Sequence, residues 1–184
     1  MHLKYPRHLR LLSVSPSTRG FGFAVLDGDA LVDWGVKSVK GEKNSACLKK
    51  IEKLISHYLI EVIVLEDHRR SGVRRAPRIQ LLNNQILDLA SNQNLKRVLL
   101  SRKEIRRVFF EDGKGTKYGV AKVLTERFQD DLGIRLPPKR NLWNSEHYRM
   151  GIFDAVALVL ACALKKRSPS RHLEMDNTFA LSST

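Results

Sequence analysis

The chain has 184 residues, 42% hydrophobic and 28% charged, a balance that excludes a disordered chain and fits one globular domain. Its 33 Lys and Arg against 19 Asp and Glu leave a formal net charge of +14, which favours a polyanionic partner, because cations that meet phosphates release condensed counterions. Cys47 and Cys162 stand too far apart for a zinc or redox motif, and no apolar run is long enough for a secretion signal or a bilayer span. Disulfide-built, exported and membrane classes are set aside, and a cytoplasmic location is expected.

Residues 1–10 read as a basic N-terminal extension, 11–164 as one α/β domain, and 165–184 as a disordered tail of Ser, Pro and mixed charge. Within the domain, the apolar run Leu11–Val14 predicts a first strand. Phe21–Leu26 and Ala30–Trp34 flank Asp27-Gly28, a strong two-residue hairpin signal, so three strands form an antiparallel meander. Leu48, Ile51, Leu54, Ile55, Tyr58 and Leu59 recur at helical spacing after Asn44 and Ser45, two candidate caps. The β-branched run Glu61–Leu65 predicts a strand buried on both faces, ending at Glu66.

Pro77 opens a helix carrying Ile79, Leu82, Ile86 and Leu89, and Arg97–Leu100 predicts another strand. Ser101 and Glu104 form a capping box at the head of a short helix. A flexible loop, Gly113-Lys114-Gly115, leads into a helix predicted over 116–132, stopped by Gly133. A Pro137-Pro138 linker precedes a last helix that Ser145 is placed to cap. The order is a mixed sheet covered by helices on both faces, a three-layer α/β fold.

Two acids stand out. Glu66 ends the buried strand, where a carboxylate is costly unless solvated, paired or holding a cation; alone, an ordinary strand-end acid is its simpler reading. Asp154 is the one charge in the apolar run Ile152–Ala161 and needs a partner. Together the two carboxylates suit a hydrated Mg²⁺ with a substrate phosphate, and a buried pair between Asp154 and Arg149 is the structural alternative. Strand alternation turns Asp67 away from Glu66. His68 is a candidate general base if the strand end curls inward, and His147 and Glu146 precede Asp154 by about two turns, His147 on roughly the same helical face. A solvated surface role is the simpler reading of these four.

Basic residues cluster around the same strand ends. Arg69, Arg70, Arg74, Arg75 and Arg78 follow Glu66; Arg102, Lys103, Arg106 and Arg107 follow the fifth strand; Lys114 and Lys117 lie at the glycine loop. Their dispersion suits reading of a phosphate backbone rather than of base edges. Phe109, Phe110 and Trp143 are candidate stacking residues, with core packing as the simpler fate.

The stretch Leu11-Leu-Ser-Val-Ser-Pro-Ser-Thr-Arg-Gly-Phe-Gly-Phe-Ala-Val25 resembles the opening hairpin of RuvC-type Holliday-junction resolvases, with Pro16, Arg19 and Gly22 matching. Glu66 falls at that family's second acid, Asp154-Ala-Val-Ala-Leu158 at its catalytic helix, Gly113–Lys117 at its basic loop, and Pro137-Pro138 at its proline pair. The resemblance runs from residue 11 to about 164. It implies an RNase H-like fold and a Mg²⁺-dependent (or Mn²⁺-dependent) endonuclease acting on branched DNA as a homodimer. Glu66 and Asp154 would be metal ligands, Ser15 a weak third contact, and Lys117 the residue steadying the scissile phosphate.

The departures are equally specific. The family's first acid aligns with Ser15, the glycine after its proline with Ser17, and the acid one turn before the helix aspartate with Gly151. Loss of a bridging carboxylate in two-metal hydrolysis costs about 4 kcal/mol, roughly a thousandfold in rate. Two readings follow: a junction nuclease of reduced or altered activity, or a DNA-binding module that kept the fold without the chemistry.

Overall fold

The computed structural model describes residues 9–70, 75–141, 143 and 145–167. Five strands form one sheet: β1 (Arg10–Ser17), β2 (Gly20–Asp27), β3 (Ala30–Ser38), β4 (Val62–Glu66) and β5 (Lys96–Leu100), in the order β3-β2-β1-β4-β5. The meander β1-β2-β3 is antiparallel, turning at Gly28 with φ +61°, while β4 and β5 add in parallel. Such parallel additions need crossovers, here α1 (Lys43–Tyr58) and α2 (Pro77–Asn92). The chain continues through α3 (Arg102–Phe109), α4 (Lys117–Arg127), α5 (Gln129–Leu132), a 3₁₀ turn at Gly133–Arg135, and α6 (Met150–Arg167). The mixed sheet covered on both faces is the architecture expected.

Strand alternation divides the core in two. Leu11, Ala24, Leu26, Val62 and Val64 meet α6, α4 and α5, whereas Leu12, Val14, Phe23, Ile63 and Leu65 meet α1 and α2. The same period carries Ser13 to the α6 face. There its buried hydroxyl donates to the Ala155 carbonyl at 2.7 Å, pinning helix to strand. A side chain at Gly22 would put Cβ 2.0 Å from the Gly151 carbonyl oxygen, so β2 and α6 touch backbone to backbone.

Several elements differ from expectation. All three meander strands are longer than their apolar runs, because the polar residues at their ends still pair. Neither Asn44 nor Ser45 caps α1, which starts after Glu42. The Asn44 amide is spent on Arg78, accepting from Nη1 at 2.9 Å and donating to the carbonyl at 3.2 Å, which ties α1 to α2. The single helix expected over 116–132 breaks at Phe128, and α5 then places Leu132 fully in the core. Ser145 does not cap α6, which begins five residues later; turn bonds from His147, Tyr148 and Arg149 carbonyls start it. At its far end α6 runs on to Arg167, three residues beyond the predicted boundary; the remaining tail and residues 1–8 lie outside the described residues. Among the described residues, no helix is long and apolar enough to cross a membrane.

Candidate nucleic-acid interface

At the carboxyl ends of β1, β4 and β5, a narrow cleft of about 60 Å³ opens between the sheet, α3, α4 and α6. Alternation explains its occupants. Ser15 follows Leu11 and Ser13 on the α6 face of β1, and Glu66 follows Val62 and Val64 on the same face of β4. Asp154 descends from α6 and Lys117 from the first residue of α4, whose Thr116 cap accepts the Gly119 amide at 3.0 Å. Ser15, Glu66, Lys117 and Asp154, drawn from four separate elements, therefore line one space.

The carboxylates in the cleft are already partnered. Arg102 Nε donates to Glu66 Oε1 at 2.6 Å and Arg75 Nη2 to Oε2 at 3.1 Å, with His68 Nδ1 3.7 Å from Oε1. Burial pushes the Glu66 pKa up, but His68 and the Arg102 and Arg75 guanidiniums outweigh it and hold the carboxyl at about 2. Lys117 Nζ lies 2.7 Å from Asp154 Oδ2 and 2.8 Å from Glu146 Oε1. Burial disfavours the Lys117 ammonium, yet the Asp154 and Glu146 carboxylates more than offset it and raise its pKa. Burial raises the Asp154 pKa, with Lys117 opposing and Glu146 and Glu66 adding to the rise.

The expected partner of Asp154, Arg149, is elsewhere: its guanidinium lies over the Tyr148 ring. Long reach lets Lys117, on another helix, take that place. Glu146, for which a solvated surface role is the simpler expectation, is instead the second arm of the Lys117 clamp. His147 precedes α6 and stacks on Tyr148, so it shares no helical face with Asp154. Asp67 turns away from the cleft as expected, accepting from the Arg69 amide at 3.0 Å and facing Arg70 Nε at 3.4 Å.

This donor set does not fit a divalent ion. Mg²⁺ and Mn²⁺ take a near-octahedral shell of oxygens, usually one or two carboxylates with waters and phosphate. Both Glu66 oxygens here accept from guanidiniums, Asp154 faces an ammonium, and the third position is the uncharged Ser15. No group of three or more His, Cys, Asp or Glu able to hold a metal occurs among the described residues. Four cations, Arg75, Arg102, Arg106 and Lys117, line the cleft against two carboxylates.

Within the cleft and around it the basic residues divide. Arg70, Arg75, Arg102 and Lys117 serve carboxylates, and Arg78 serves Asn44 and the Ser17 carbonyl. Arg69, Arg106, Arg107 and Lys114 have no side-chain hydrogen bond or ion pair among the described residues. Arg74 lies outside the described residues. Phe109 and Phe110 pack on the core, and Gly115 approaches the Phe110 ring so closely that a Cβ would sit 2.0 Å from it. Trp143 does the opposite of core packing and is 83% exposed.

The sheet order, the paired α-layers and a cleft at the ends of β1 and β4 define an RNase H-like fold. Solved structures similar to it include Holliday-junction resolvases. RuvC of Thermus thermophilus superposes with a TM-score of 0.63 at 14% identity, covering 86% of this chain and 96% of that one. The same protein in complex with a Holliday junction substrate gives 0.63 at 13%, over 87% and 96%. The yeast mitochondrial Holliday junction resolvase gives 0.57 at 15%, over 88% and 82%. The chain thus has the RuvC-type fold. No protein-family model and no curated protein matches it.

Proposed function

We propose that this chain is a RuvC-fold DNA-binding protein that grips the phosphate backbone of branched or duplex DNA at the carboxyl end of its parallel strands. The observation that carries this is the cation excess in the cleft. Arg75, Arg102 and Lys117 hold the carboxylates where metal ions would otherwise be needed to neutralise them, and Arg106 stands beside them. The cleft is therefore suited to phosphate without an added ion. Arg69, just after β4, Arg107 on α3 and Lys114 in the glycine loop are further unengaged cations, and backbone amides of that loop suit a phosphate as well. The two-fold symmetry of a four-way junction calls for two copies of the chain, should a junction be the ligand.

Titration of a labelled four-way junction and of a linear duplex across salt tests binding. Four unengaged cations predict a log–log salt slope of about −4. An affinity flat with salt would overturn the reading.

A second reading, a Mg²⁺-dependent (or Mn²⁺-dependent) endonuclease with Glu66 and Asp154 as ligands, is favoured by the convergence of Ser15, Glu66, Lys117 and Asp154 in one cleft. Cleavage of the junction by the wild type with either ion, abolished in Glu66→Gln and Asp154→Asn, would establish it over the first. Binding without cleavage in all three would sink it. Ser15→Asp is the complementary probe, since a gain of cleavage would confirm that position 15 is the vacant acid.

A further inference from the structure

On the opposite side of the sheet, the end of β4 borders a second and larger space. This cavity of about 350 Å³ lies between β4, β5 and α2, at the lower end of the range for small-molecule pockets. Leu65, Leu87 and Leu99 give it apolar walls, and Leu99 is 43% exposed there. Arg69, Gln80 and Asn84 are its exposed polar lining residues. Glu66, His68 and Arg75 are shared with the cleft on the α6 face, so the two spaces are neighbours across one wall.

Three residues lining this cavity, His68, Arg75 and Asn83, carry buried polar atoms without a hydrogen-bond partner, and of these Asn83 alone has no charged partner either. It is 92% buried (8% exposed), and neither its Nδ2 nor its Oδ1 has a hydrogen-bond partner. Its neighbour Gln80 is engaged, donating to the Arg75 carbonyl at 2.7 Å. A buried amide with both ends open loses its water without replacement, and native proteins keep few such groups unless something completes them. The missing partner must offer one acceptor and one donor side by side, and flat apolar faces to lie against leucines. A nucleobase has that combination: the edge of adenine accepts at one atom and donates at the next, and pairs with a carboxamide through two bonds.

We infer that the Asn83 cavity receives an unpaired nucleobase, adenine-like in its edge, from a DNA strand whose phosphate lies in the adjoining cleft. The inference rests on the DNA-binding reading above and adds what the phosphate contacts lack, a reason to prefer strands with an unstacked base. Branched DNA has such bases at its crossover, and the cost of extrusion is smallest where a base is already unpaired.

The experiment uses the full chain and two duplexes of one sequence, one fully paired and one carrying a single 2-aminopurine bulge. Wild type is expected to bind the bulged duplex about tenfold tighter, the worth of one well-made amide–base pair, with fluorescence rising as the base leaves the stack. In Asn83→Leu, paired-duplex affinity stays within about twofold and the bulge preference disappears. The melting temperature does not fall, because leucine fills the same volume without open polar atoms. Asn83→Ala loses the preference in the same way and covers the case in which leucine cannot pack. A bulge preference that survives both substitutions, or is absent from wild type while duplex binding is intact, overturns the inference alone. No binding to either duplex overturns the DNA-binding reading and the inference with it.

Discussion

The two sides of the sheet treat polar groups in opposite ways at the same strand end. On the α6 side, every carboxylate in the cleft has at least one cation within 3.1 Å, although Ser15, Arg75, Lys117, Glu146 and Asp154 also border about 340 Å³ of open space. On the α2 side, an amide is sealed from solvent with no partner, beside about 350 Å³ of space. Glu66, His68 and Arg75 form the wall between them. The difference teaches that burial alone does not mark a ligand site. Paired ions satisfy one another and stiffen the fold, whereas an open polar group next to a cavity has bonds left to give.

The largest effect is expected at Glu66. Its carboxyl is held at about 2 against an ordinary 4.5, so the folded state stabilises the charged form. A depressed acid contributes stability that is present above pH 4.5 and lost as pH falls from there toward 2. The shift corresponds to about 3 kcal/mol. Denaturation followed from pH 7 to pH 3 is expected to show about 2 kcal/mol of that loss, because only the stretch from 4.5 to 3 is crossed, and Glu66→Gln to be destabilised at pH 7 with a flatter acid limb. The same variant leaves two guanidiniums without their acid, so its affinity for duplex DNA rises rather than falls.

Reversing Arg106 and Arg107 to Glu comes next. Two phosphate contacts become repulsions, and affinity is expected to drop about 100-fold at low salt, with the salt slope reduced by about 2. Unchanged binding would move the interface off α3.

Lys117→Met is smaller in effect. It leaves Asp154 and Glu146 facing each other without their cation and is expected to cost about 2 kcal/mol at pH 8, less than a fully buried pair because both partners are partly exposed. The cost shrinks at pH 5, where a carboxyl already raised by burial can take up a proton in place of the ammonium. On the other side of the sheet the sign changes: Asn83→Leu is expected to raise the unfolding free energy by about 1 kcal/mol, read from chemical denaturation. A loss there would mean the amide is satisfied after all, and would erase the contrast between the two sides.

How much of this could be read from the chain depends on the range of the determining contacts. The Asp27-Gly28 turn, the Ser101–Glu104 capping box and the β-branched run ending at Glu66 act within a few residues, and all three stand in the structure. The break at Phe128 has no local marker; it answers to the space that Leu132 fills. Likewise the choice of Lys117 over Arg149 as partner for Asp154 is made by two helices meeting far apart in sequence, and Glu146 joins only because the segment before α6 folds back toward α4.

Asn83 is a different sort of omission. Ile79, Leu82 and Ile86 set the apolar stripe of α2, and position 83, four after one and three before another, falls inside that stripe. An amide on the buried face of an otherwise aliphatic helix is a legible sign, though a neutral one beside the charged residues around it. Trp143 shows the converse, since an aromatic residue near a proline pair gives no local hint of whether the core has room for it.

The contact between Gly22 and Gly151 has a further consequence. It works as a ruler: with no atoms between the two backbones, α6 can neither sink nor slide relative to β2, and Gly22 is itself the pairing partner of Ser15. The distance between positions 15 and 154 is thus set by main chain, not by whatever side chains occupy them. A Cβ placed on Gly151 would meet nothing nearer than 3.6 Å, while one on Gly22 would collide. The scaffold could therefore accept acids at 15 and 151 without being rebuilt, so a change of chemistry in this fold asks only for exchanged side chains on an unmoved frame.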